Sequence, residues 1–395
     1  VSRDFSALDA PSDLRMNISA RAPLWDLHCR VIDNFGDAGV CWRVARMLAC
    51  EHRLKVRLWI DCPQTLQALL PEFDKAAATQ CIDGVTICDS RRINPAPDEA
   101  AVVVEAFGCG LPEAYIAAMT KMARPPHWIV LEYLSAEAWV DSHHGLSSPH
   151  PRLSLQRWFF FPGFGGHTGG LPREQDLLAR REAFDAGAFW RGQGFEPPPA
   201  DCFTASVFAY GDAPLGALIA SCAEAVDPTL LVLPEGALAA EARCLTGAAA
   251  SATCVRRGAL ELRWLPFLPQ RRYDELLWAC DVNFVRGEDS FVRAQWAGRP
   301  LVWQPYRQED GAHLLKRAAF EARYTAGMAA PAAAAWRGLA QYWNGGDGAG
   351  LAQAWLAARR EKAVLRAHAM NWSVSLAAQP ELVSTLVEFA RGRVE

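Results

Sequence analysis

The chain has 395 residues, 51% of them apolar and 21% charged, with a formal net charge of −4 at pH 7. That length exceeds one ordinary core and sets the expectation of two domains of ~150–200 residues, and a composition without any apolar run long enough to cross a bilayer excludes both a disordered chain and a membrane-spanning helix. The slight negative balance excludes a general affinity for nucleic acid and would suit a basic protein partner.

In chain order, Val1 to Arg21 is polar and lacks the apolar stretch of a secretory signal, so residues 1–22 are expected to be a loosely ordered extension. Leu24–Ile32 reads as a parallel strand covered on both faces. The Asp33-Asn34-Phe35-Gly36-Asp37-Ala38-Gly39 segment reads as a loop, followed by a helix over Val40–His52 with Val40, Val44, Met47 and Leu48 at helical spacing. Strand, glycine-bearing loop and helix resemble the opening of a nucleotide-binding unit, although Gly36-x-x-Gly39 lacks the full dinucleotide fingerprint. The spacing then predicts a strand over Lys55–Ile60, a helix over Pro63–Leu70, strands over Gly84–Asp89 and Ala101–Phe107, a helix over Pro112–Met119 and a strand over Trp128–Leu134. Such alternation means a parallel sheet.

From Ser135 to Glu174 the texture is loop-rich, with His143, His144, His150 and His167 and a glycine-rich turn over Gly163–Gly170. None of these histidines has the i, i+4 pairing or the neighbouring carboxylate set of a catalytic zinc site. No metal is expected there, and the passage is expected to wall a cleft. Gly192–Ala200, with three successive prolines, reads as a semi-rigid linker. A second series follows: strands over Phe203–Tyr210, Thr229–Leu233, Glu261–Leu268, Val282–Val285 and Pro300–Gln304, with helices over Leu215–Ala225, Tyr273–Cys280, Ser290–Ala297 and Ala312–Ala322. Pro380–Arg391 is an amphipathic helix with Leu382, Leu386 and Phe389 on one side. The expected plan is an N-terminal Rossmann-like domain over 23–191, the linker over 192–200, a C-terminal Rossmann-like domain over 201–375, and a terminal helix over 376–395 that packs back on the first domain. That plan describes the α/β GT-B arrangement, with two Rossmann-like domains facing across a cleft. Twelve cysteines, scattered with no Cys-x-x-Cys pair, suit reduced thiols and a cytoplasmic location.

The turn Arg286-Gly287-Glu288-Asp289 joins a buried strand to a helix and so presents free N–H groups to an anion. Two carboxylates on the same turn suit a hydroxyl, a cation or a proton in transit; capping by Asp289 and Ser290, with Arg286 paired to Glu288, is the other reading of the same residues. For Asp37, an N-cap is likewise the ordinary alternative to a chemical role.

Three stretches, CRVIDNFGDAGVCWRVARML at Cys29–Leu48, FFFPGFGGHTGG at Phe159–Gly170 and LPFLPQRRYDELLWACDVNFVRGEDSFVRAQWAGRPLVW at Leu265–Trp303, resemble the protein-arginine rhamnosyltransferases that modify bacterial elongation factor P. The resemblance extends from about Leu24 onwards. It implies an inverting GT-B enzyme that moves L-rhamnose from dTDP-β-L-rhamnose to one arginine of elongation factor P and thereby supports translation through proline runs. It also implies catalytic acids at Asp33, Asp37 and Glu288, and nucleotide-sugar contacts at Phe208, Tyr210, Phe267, Gln270, Arg286, Gly287, Asp289 and Ser290. No metal or other cofactor is implied, and there is no Asp-x-Asp motif.

The chemistry fits these residue types. A guanidinium stays protonated, with pKa above ~12, so an arginine acceptor needs carboxylates to grip it and take a proton. Asp37 is the expected base and Asp33 its orienting partner. Arg286, with the N–H groups of Asp289 and Ser290, would stabilise a leaving diphosphate, Phe267 would stack on thymine and Gln270 would bond base or ribose. A GT-B enzyme with a small-molecule or lipid-linked acceptor is the alternative and would need a closed apolar acceptor pocket. A translation-factor-binding protein without turnover would use the same acidic surface.

Overall fold

The structure, a computed structural model, describes residues 22–346 and 348–394. Apart from Ala22, the extension expected over 1–22 lies outside the described residues. The first half runs β1 (Leu24–Cys29), α1 (Asn34–Cys50), β2 (Lys55–Ile60), α2 (Leu66–Leu69), β3 (Thr79–Ile82), β4 (Val85–Asp89), β5 (Ala100–Ala106), α3 (Glu113–Met119), β6 (His127–Leu131), α4 (Trp139–His143), β7 (Ser147–Pro149), β8 (Gln156–Phe160), α5 (Leu177–Glu182) and α6 (Ala186–Gly192). The second runs β9 (Phe203–Val207), α7 (Leu215–Ala223), β10 (Thr229–Pro234), α8 (Ala237–Thr246), β11 (Cys254–Arg257), β12 (Leu260–Leu265), α9 (Gln270–Ala279), β13 (Val282–Arg286), α10 (Asp289–Trp296), β14 (Leu301–Gln304), α11 (Ala312–Tyr324), α12 (Ala330–Gly345), α13 (Gly348–Arg360), α14 (Lys362–Ala377) and α15 (Leu382–Val394).

The strands make two sheets, an eight-stranded one in the order β3-β4-β2-β1-β5-β6-β8-β7 and a six-stranded one in the order β11-β12-β10-β9-β13-β14. Central pairs are parallel in both, and β3, β7 and β11 add antiparallel edges. Strands such as Val102-Val103-Val104 are buried on both faces because helices cover both sides, which is why they read as continuous apolar runs. In each sheet the order reverses at one place, between β1 and β5 in the first and between β9 and β13 in the second. Ligands of open α/β sheets bind outside the carboxyl ends of the strands at such switch points. The segments that leave β1, β9 and β13 there are the ones carrying Asp33 and Asp37, Phe208 and Tyr210, and the Arg286 turn.

Several expectations are corrected. The Asp33–Gly39 segment is not a loop: α1 begins at Asn34, so Asp33 stands at its N-cap and Asp37 in its first turn. The helical start carries glycine at 36 and 39 because other groups press there. An ideal Cβ on Gly36 would lie 2.4 Å from Asp33 Oδ2, and one on Gly39 3.0 Å from the Asp289 side chain. The passage from Ser135 is not mainly a cleft wall either. It supplies β7 and β8 to the first sheet, and its glycine turn seats the chain end: a Cβ on Gly170 would lie 2.1 Å from the Pro380 carbonyl, and Leu171 bridges Glu381.

Helix α15 returns to the first core, as its apolar stripe requires, burying Leu382, Val383, Leu386, Val387 and Ala390 among β1, α1 and β5 side chains. Around the proline spacer, α6 lays Phe189 and Trp190 on Leu230, Val232 and Leu265 of the second sheet. Helices α12, α13 and α14 complete the second core through Trp336, Trp343, Trp355 and Leu365.

Candidate functional site

The two switch points face each other across a narrow cleft lined by Asp33, Phe35 and Gly36 on one side and by Phe208, Phe267, Gln270, Arg286, Asp289 and Ser290 on the other. Its free volume is only about 40 Å³, room for a few water molecules. Three contacts hold it shut. The Tyr210 hydroxyl donates to Asp33 Oδ1 at 2.7 Å, Gln270 Nε2 donates to the Gly39 carbonyl at 2.8 Å, and the Phe35 and Phe267 rings meet at 4.7 Å between centroids.

On the first-domain side, Asp37 is fully buried. One oxygen, Oδ2, accepts the backbone N–H groups of Ile32 and Asp33 at 2.7 and 2.8 Å, which pins the chain as it leaves β1. The other, Oδ1, accepts the Tyr133 hydroxyl at 3.0 Å. Asp37 is therefore held from behind with one oxygen directed to a hydroxyl, and Asp33, although it occupies the N-cap position, makes no side-chain cap bond. Burial raises the Asp33 carboxyl above its ordinary value; the Tyr210 bond opposes this, nearby Asp37 adds to it, and Arg286 opposes it.

On the second-domain side, α10 starts at Asp289 with no side-chain cap, so its first N–H groups remain open toward Gly36, whose Cβ would lie 3.5 Å from Glu288 N. Gly287 adopts φ +56°, and a Cβ there would fall 2.2 Å from Asp33 Oδ2. Arg286 does not pair with Glu288. Its guanidinium lies over the rings of Phe208 and Tyr210, 4.4 and 4.7 Å from their centroids, a cationic shelf on an aromatic base. Ser290 Oγ is tied to the Arg286 backbone, donating to its carbonyl at 2.5 Å and accepting its N–H at 3.0 Å. It shapes the turn, and only its backbone N–H is left for a ligand. Gln270 spends its amide hydrogens on Gly39 and Asp289, which leaves Oε1 for any base or ribose. Asp289 Oδ2 joins Gln270 and Arg293, while its buried Oδ1 has no partner. Burial pushes the Glu288 carboxyl up to about 7; Lys316 opposes the rise, and Asp33 and Asp37 add to it.

Every catalytic or nucleotide-sugar position that the resemblance implies lies at or beside this cleft. Asp33 and Asp37 come from the start of α1, Phe208 and Tyr210 from the segment after β9, and Phe267 and Gln270 from the entry to α9. Arg286, Gly287, Glu288, Asp289 and Ser290 come from the β13–α10 turn. Three further residues belong to the site and are missed by sequence reasoning. The Tyr133 hydroxyl meets Asp37, the Tyr306 ring meets Tyr210 edge-on at 5.9 Å, and the Lys316 ammonium lies 5.0 Å from the Tyr133 ring centroid. None carries a local signal, because each reaches the site from a distant part of the chain. His143, His144 and His150 are held in local hydrogen bonds to Trp139, Phe161 and Arg152, and no group of three or more His, Cys, Asp or Glu side chains among the described residues is placed to hold a metal. No helix among them is long and apolar enough to cross a membrane.

Residues 25–391 match the family model described as Elongation-Factor P (EF-P) rhamnosyltransferase EarP. A protein-arginine rhamnosyltransferase of Pseudomonas putida is 45% identical over 376 residues, covering 93% of this chain and 98% of the relative, and that of Pseudomonas aeruginosa is 44% identical over 372 residues, covering 92% and 98%. A solved structure described as the structural basis for EarP-mediated arginine glycosylation of translation elongation factor EF-P is 34% identical, with a TM-score of 0.64, and covers 93% of this chain and 99% of its own. A spinosyn rhamnosyltransferase, 12% identical with a TM-score of 0.50, shares the fold over 93% of this chain and 99% of its own. With two Rossmann-like domains in the GT-B arrangement and a family match across nearly all of its length, this chain belongs to the EF-P rhamnosyltransferase family.

Proposed function

We propose that this protein transfers L-rhamnose from dTDP-β-L-rhamnose to one arginine side chain of elongation factor P, with inversion at the anomeric carbon, in the cytoplasm, and so supports translation through proline runs. The observation that carries the proposal is the meeting of three carboxylates, Asp33, Asp37 and Glu288, with the Arg286 turn at the two switch points. An arginine acceptor brings a cation that stays protonated in water, and clustered carboxylates are what grips its fork and lowers the cost of removing a proton. In this reading Asp37, held through Oδ2, uses Oδ1 to take the proton from the attacking nitrogen as the C–N bond forms, and Asp33 orients the guanidinium. The diphosphate leaves toward Arg286 and the open N–H groups of Asp289 and Ser290. Phe267 and Phe208 flank the base, Gln270 offers Oε1, Tyr210 and Gly287 shape the floor, and Glu288 meets the positive charge that develops on the sugar. The reading needs no metal.

Intact-mass analysis of elongation factor P after incubation with this protein and dTDP-rhamnose tests it. One added deoxyhexose is expected, and none with Asp37→Asn, where activity falls by about 10²–10⁴ while the protein still binds dTDP. Unmodified elongation factor P in the wild-type reaction would sink the proposal.

A further inference from the structure

At the other end of the second sheet, where β9, β13 and β14 begin, the structure holds a cavity of about 300 Å³ far from the strand ends that carry the cleft. That size is at the lower end of the range of small-molecule sites, ~300–1,000 Å³. Phe203, Val282, Trp336 and Trp355 give it apolar walls. Trp336 donates its indole N–H to the Leu301 carbonyl at 2.8 Å, but Trp355, fully buried, has an indole N–H without a partner. At the mouth stand Lys362 and Arg366, one helical turn apart on α14, both exposed and neither in an ion pair among the described residues. Arg299, its pKa lowered by burial and by the like charge of nearby Arg366, keeps a buried Nη1 without a partner. The acid on this rim, Asp281, accepts from Thr204 through Oδ2.

Apolar walls ask for a hydrocarbon or aromatic body, and the two exposed cations at the mouth ask for an anion. Partial burial favours a single charge, since removing a doubly charged group from water costs more. We propose that this cavity binds a small carboxylic acid with an apolar body, its carboxylate at the Lys362–Arg366 mouth and its body against Trp336 and Trp355.

The test is calorimetric titration of the full chain with octanoate, with octan-1-ol as the uncharged counterpart. Saturable binding of octanoate at one site per chain is expected, at least about tenfold tighter than octanol and weakened at least about tenfold in the Lys362→Glu/Arg366→Glu variant. Both substitutions are on exposed positions, so the variant should fold, and circular dichroism checks that it does. The indole ¹⁵N–¹H resonance of Trp355, assigned with Trp355→Phe, should move on addition of octanoate. Absence of saturable binding, equal affinity for octanol, an unaffected double variant or an unmoved Trp355 resonance would each overturn the proposal.

Discussion

Gly287 stands where a side chain has no room. Its φ of +56° and the 2.2 Å separation between an ideal Cβ and Asp33 Oδ2 mean that alanine there brings both backbone strain, about 1–2 kcal/mol, and a collision with the acid across the cleft. Gly287→Ala is expected to lower the melting temperature modestly and to reduce turnover more than it weakens dTDP binding, as steady-state kinetics and a dTDP titration would show. Unchanged turnover would mean that the position of Asp33 does not matter. At Glu288 the expectation concerns pH. Its carboxyl is pushed up to about 7 by burial, above an unfolded value of about 4.3. Stability linked to this group is therefore fully present below about 4.3 and is lost as pH rises through about 7. Glu288→Gln should be more stable than the wild type at pH 8, by at most about 4 kcal/mol, and equally stable at pH 4, as denaturation at the two pH values would show. Because the ionised form is the one that meets positive charge, kcat/KM should rise through about 7 in the wild type and lose that limb in the variant.

Among the elements, α10 is tied to α1 and α9 by buried charges. Arg43 of α1 grips Glu174 through Nε and Nη2 at 3.0 and 2.7 Å, and Arg293 of α10 reaches the same Glu174 at 3.8 Å as well as Asp274 of α9 and its own helix's Asp289 at 3.0 Å each. Burial alone would raise the Glu174 carboxyl, but Arg43 and Arg293 overcome it and hold the group well below the usual carboxylate range. The stability it contributes is present above about 4.3 and is lost as pH falls toward the depressed value. Glu174→Gln, which leaves two buried guanidinium groups short of charge, should cost about 3 kcal/mol near neutral pH, read from urea denaturation, with the difference narrowing in acid. A difference independent of pH would show that packing, not charge, is what the substitution removes.

These elements are unequally legible in the sequence. Strand β2 and the β13–α10–β14 unit stand close to where hydrophobic runs and a glycine stop place them. The start of α1 reads as a loop because Gly36 and Gly39 look like flexibility, whereas they mark close approach to Asp33 and Asp289. The edge strands β3, β7 and β11 are too short to show a period. Helices α12 to α14 lie in an alanine-rich stretch where apolar and polar faces contrast weakly. Of the site, the acids and the turn are legible through their motifs, while Tyr133 and Lys316 become site residues only when the segment after β6 meets α11 at the cleft.

At the scale of the whole molecule, helix α15 belongs to the core that β1 and α1 build. Leu386 is fully buried in the first core, so Leu386→Ala should destabilise it by about 2–5 kcal/mol. Limited proteolysis should then cut the first half before the second; simultaneous loss of both halves would mean that the two cores unfold as one unit.

Helix α10 connects these scales, because all eight of its residues are buried. It packs on α1 and α14, and Trp296 at its end donates to the Pro172 carbonyl at 2.9 Å. A helix without a free face has no neutral positions: its side chains answer to both halves at once. A chimera that joined the first half of one relative to the second half of another would therefore be decided at this helix, where a substitution on either side calls for a matching one across the boundary.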